Sequence, residues 1–74
     1  MSQAKPVLDA KQLTVALADV ARRLRASAAT VDEQARREVS YRARQDAAAK
    51  SDQMRADARV VEAAHELLKR ALGG

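Results

Sequence analysis

The sequence predicts an all-α protein, a helical hairpin or a small three-helix bundle with coiled-coil-like packing. Three observations lead there. From Val7 to Leu72 there is neither glycine nor proline, and alanine, arginine and leucine dominate, all strong helix formers. Leu13, Leu17, Val20, Leu24 and Val31 follow a 4-3-4-7 spacing that places them on one helix face. Met54, Ala58, Val61, His65, Leu68 and Leu72 repeat a 4-3-4-3-4 spacing and form a second stripe, the natural mate of the first.

Taken in order, residues 1–8 read as a flexible N-terminal tail holding the single proline, Pro6. Asp9 is an N-cap candidate with Gln12 three residues on, and Leu8 and Leu13 flank the pair as a hydrophobic staple. One helix from there to Leu72 would be about 100 Å long and would need an unbroken seam. Carrying the heptad past Val31 puts Gln34, Glu38, Tyr41 and Gln45 on it, a row unsuited to a dry interface. The helix is therefore expected to break. Thr30-Val31-Asp32-Glu33 fits a capping box, and Ser51 before Asp52 is a weaker cap. The expected helices span about 9–28 and 31–71, with a further break near 50–52 in the three-helix alternative, and Gly73-Gly74 ends the last.

Seventy-four residues make at most one domain. The hydrophobic share is 47%, but eighteen of those residues are alanine and only sixteen larger apolar residues lie beyond Met1. That supply is short for an isolated monomer, so a protein partner or self-association is expected, as a homodimer or a hetero-complex. The interface candidates are the two stripes: Leu13, Leu17, Val20, Leu24 and Val31 with Met54, Val61, Leu68 and Leu72. A chain with one histidine, no cysteine and no glycine-rich phosphate loop offers little for catalysis, so a non-enzymatic protein without a cofactor is expected. No apolar run reaches the length of a membrane span and no secretory signal core is visible, so no membrane partner and a cytoplasmic location are expected. The function that follows is helix-face protein contact, as an adaptor, co-chaperone or assembly subunit.

The segment Asp19-Val-Ala-Arg-Arg-Leu-Arg-Ala-Ser-Ala-Ala-Thr-Val31 resembles the helix-turn-helix of repressors and excisionases, whose pattern runs D/E-V-A-x-x-L-x-V-S-x-x-T-V. The resemblance implies Ala21 at the helix crossing, Ser27 as the cap of a recognition helix over Ser27 to Arg37, and a DNA-binding regulator as the alternative function. Seven arginines against three acids give a charge of +4 between Ala21 and Arg44, equal to that of the whole chain. The nucleic-acid candidates are Arg22, Arg23, Arg25, Ser27, Thr30, Arg36 and Arg37. Asp32 and Glu33 depart from the pattern, standing where DNA-facing polar or basic residues belong, and the winged segment of the excisionases is absent.

Glu62-Ala-Ala-His65 places a carboxylate and an imidazole on adjacent turns, as in half of a ferritin-like di-iron site. A dimer of hairpins adding Glu33 or Glu38 could complete such a centre. The plainer expectation for His65 is a side chain packed at the helix seam.

Overall fold

The computed structural model describes residues 9–73, and the expected tail at 1–8 lies outside them. Two helices, α1 (Ala10–Arg36) and α2 (Tyr41–Gly73), form a hairpin that turns through residues 37–40. There is no strand and no third helix among the described residues.

Asp9 starts α1. Its carboxylate accepts from the Gln12 backbone N–H at 2.8 Å, while the Gln12 side-chain oxygen accepts from the Asp9 N–H at 3.0 Å, a reciprocal capping box. Ser40 starts α2 in a simpler way, its hydroxyl accepting from the Ala43 N–H at 3.2 Å.

The bend falls at 37–40, so the expected change of helix at 28–31 is corrected, and so is the further break near 50–52. Both internal cap candidates are occupied inside their helices. The Thr30 hydroxyl donates back to the Ala26 carbonyl at 3.1 Å, and the Ser51 hydroxyl donates to the Ala48 carbonyl at 3.1 Å. A hydroxyl bonded to the preceding turn is compatible with an uninterrupted helix. The deeper reason is the seam. In α1 the inward positions are Thr14, Leu17, Ala21, Leu24, Ala28, Val31 and Ala35, an unbroken 4-3 alternation across residues 27–30, and a bend there would strand Val31 and Ala35. Leu13 and Val20, one residue off this row, are 40% and 44% exposed.

In α2 the inward row is Ala47, Ser51, Met54, Ala58, Val61, His65 and Leu68, with the more exposed Leu72 continuing its spacing. The fully enclosed residues of both rows are small: Ala21, Ala28, Ala58 and Ser51. Alanine facing alanine draws two helices toward the close end of the ~8–10 Å range of axis separations. The larger seam residues, Leu17, Leu24, Val31, Met54, Val61 and Leu68, then sit beside that contact, half-buried. The hairpin is a single layer of two helices, 13 Å across its thinnest direction. A lone layer leaves one side of every seam leucine without a neighbour.

Candidate interaction face

Two cross-helix ion pairs line one flank of the seam. Arg25 grips Glu62 with both its Nε (2.7 Å) and its Nη2 (2.6 Å) in a bidentate pair. Arg55 reaches Asp32 through its Nη2 alone, one heptad further along α1 and one heptad back along α2, while its Nη1 turns to Ser51 and Asp52 of its own helix. The Ser51 hydroxyl and then the Arg55 guanidinium hold the Asp32 carboxyl below the ordinary carboxylate range, and Arg25 does the same for Glu62.

These two carboxyls are more acidic folded than unfolded, so acid favours the unfolded chain. Their stabilisation is complete above the ordinary carboxylate values, about pH 4, and is lost as pH falls through the depressed folded values. Melting the protein in steps from about pH 6 to about pH 2 should show a Tm that declines below about pH 4, and a shallower decline in Glu62→Gln. A flat profile in the wild type would remove the two pairs as contributors.

Among the described residues the opposite flank carries no such pairs. Near the open end, where α1 begins and α2 finishes, Leu13 and Leu17 of α1 face Ala64, Leu67, Leu68 and Ala71 of α2 across a cleft of about 400 Å³. Leu67 is 65% exposed. This shallow, open apolar patch between two helices has the chemistry to take the apolar stripe of a third. A separate cleft of about 490 Å³ takes in His65 with Thr14, Asp19 and Arg22.

The interface candidates thus divide. Leu17, Leu24, Val31, Met54, Val61 and Leu68 lie in the intramolecular seam, while Leu13, Val20 and Leu72 are largely exposed. The interface candidates leave out Val60, Ala64, Leu67 and Ala71, which lie outside the single 4-3 row followed through α2, although in the sequence Val60-Val61 and Leu67-Leu68 broaden the apolar face of that helix. The available signal was the pairs Val60-Val61 and Leu67-Leu68, since a helix with one buried row has no use for the second member of each pair.

The nucleic-acid candidates do not form a helix-turn-helix here. Asp19 to Val31 lies in one continuous helix, with Ala21 buried in the hairpin seam, Ser27 exposed and Thr30 bonded within α1. Acids on the same helix meet much of the basic charge: Asp19 pairs with Arg22 and Arg23, and Glu33 with Arg36 (3.1 Å) and Arg37 (3.6 Å).

Known protein families, characterised proteins and solved structures were compared with this chain. None matches it. The geometry of the hairpin bears also on the Glu62–His65 pair. Both Glu62 oxygens are engaged by Arg25, Glu33 is held by Arg36 and Arg37, and no three ligand-type side chains converge among the described residues. No described helix is long and apolar enough to cross a membrane.

Proposed function

We propose that this chain is a non-enzymatic helical hairpin that works by helix-face protein contact, as an adaptor, co-chaperone or assembly subunit. Its open-end cleft receives an apolar helix of the partner. One observation carries the reading: the enclosed residues are three alanines and a serine, while Leu13, Val20, Val60, Leu67 and Leu72 stand at least 40% exposed. Exposing large side chains and burying small ones is the reverse of what an isolated domain needs, and it suits a surface completed by another protein.

The test is a display library of amphipathic helices with apolar residues at i, i+3, i+4 and i+7. Helices should be enriched on the wild type and lose at least about tenfold in affinity, about 1.4 kcal/mol, on Leu13→Glu or Ala71→Glu, with helicity unchanged. Failure to enrich any helix, or equal binding by both variants, would sink the proposal. Binding of the wild type to a random duplex with a steep fall in salt would move the reading to nucleic acid.

A further inference from the structure

The outer surface of α2, turned away from α1, repeats the pattern of its inner surface. Moving each inward position of α2 on by two residues turns it about 200° round the helix. The positions reached are Ala49, Gln53, Ala56, Val60, Ala63, Leu67 and Arg70, and Asp46 extends the row backwards at the same spacing. This 3-4 alternation spans 46–70, and small and large residues take turns along it. Val60 is 69% exposed, and Leu67, which also edges the open-end cleft, is 65% exposed, so neither is covered within the described residues.

We infer that this row is the contact between two copies of the chain, with the α2 helices antiparallel about a two-fold axis beside Ala58. The inference shares with the reading above only that the chain works by helix-face contact, and it assigns a second face, distinct from the open-end cleft, to a second copy. Self-complementarity supports it. An antiparallel pair centred there sets Val60 against the second copy's Ala56, Leu67 against its Ala49 and Gln53 against its Ala63, each contact occurring twice. Large residues meet small ones throughout. The same alignment brings Asp46 opposite Arg70 at both ends, and neither has an ion-pair partner among the described residues.

Other arrangements do worse. A parallel pair would set Asp46 against Asp46, Arg70 against Arg70 and Val60 against Val60. Sliding the antiparallel pair by one heptad either way separates Asp46 from Arg70; one slide also takes Leu67 off the alanines, and the other keeps Val60 and Leu67 on alanines but sets Gln53 against Arg70. Attraction in one alignment and repulsion in its competitors is how helix pairs acquire specificity.

Sedimentation equilibrium of the full chain at low salt, over about 5 to 500 μM, tests this. A reversible dimer of the 8.0 kDa chain is expected, dissociating in the micromolar range. Val60→Glu should abolish it. Asp46→Arg and Arg70→Asp should each weaken it about tenfold, since two attractive exposed pairs become two repulsive ones. Mixing those two variants, or combining both changes in one chain, should restore wild-type affinity. All these residues are solvent-facing, so circular dichroism should confirm intact helices. A wild type monomeric throughout, or a dimer indifferent to the charge changes, would overturn the inference. Leu67 is shared by the row and the open-end cleft, but Leu13 and Ala71 lie outside the row, so either result would leave the cleft to its own test through those two variants.

Discussion

Replacing Ala29 with proline should cost about 3 kcal/mol or more and leave the hairpin largely unfolded near room temperature. Ala29 is exposed. What the substitution attacks is the backbone of α1, which runs unbroken through this point. Proline deletes one backbone donor and presses its ring on the carbonyl of the preceding turn. Ala29→Gly, which keeps the N–H, should cost only about 1 kcal/mol. Thermal unfolding by circular dichroism separates the two. Were Ala29→Pro as stable as Ala29→Gly, the chain would turn here, as the Thr30-x-x-Glu33 box suggested, and the seam beyond Val31 would need to be redrawn.

The second large effect belongs to the alanine contact. Ala28 and Ala58 are fully enclosed, so Ala58→Leu has no space to enter. Its branched end must push the helices apart or leave its rotamer, and overpacking of this kind costs about 1 to 3 kcal/mol. Leucine is as good a helix former as most residues and more apolar than alanine, so propensity and hydrophobicity together predict stabilisation. The seam predicts the opposite sign. A Tm raised by Ala58→Leu would show that the helices stand further apart than alanine contact allows.

That reversal of sign explains how far the fold was legible. The helical class, the capped start at Asp9 and the stripe from Met54 to Leu68 could be read because helix propensity, cap chemistry and apolar spacing all point the same way. The turn could not be read by weighting large side chains. Leu13 and Val20, added to Leu17, Leu24 and Val31, set the expected frame, and their spacing runs into Gln34. The true row runs one residue later through Thr14, Ala21, Ala28 and Ala35, seven apart. Alanine is apolar enough to be buried and common enough, at eighteen of 74 residues, to be ignored. Ser40 was overlooked as a cap for a related reason, since neither of the two cap candidates followed was at a helix start. At the open end, Leu67 and Val60 were visible only as second members of apolar pairs, and their role depended on knowing which member faces α1.

Repetition at seven-residue intervals carries a hazard that the ion pairs remove. Ala21 and Ala28 look alike to α2, so slippage of one helix past the other by a heptad would cost the packing little. Charge distinguishes the two states. A slip in one direction would bring Arg25 beside Arg55, and a slip in the other would set Asp32 beside Glu62 and Arg25 beside Lys69. Only the observed alignment satisfies Arg25 with Glu62 and Asp32 with Arg55 together. Two surface pairs that add modestly to stability thus act as a latch on a sliding joint, and neutralising them should loosen the alignment of the helices more than it melts them.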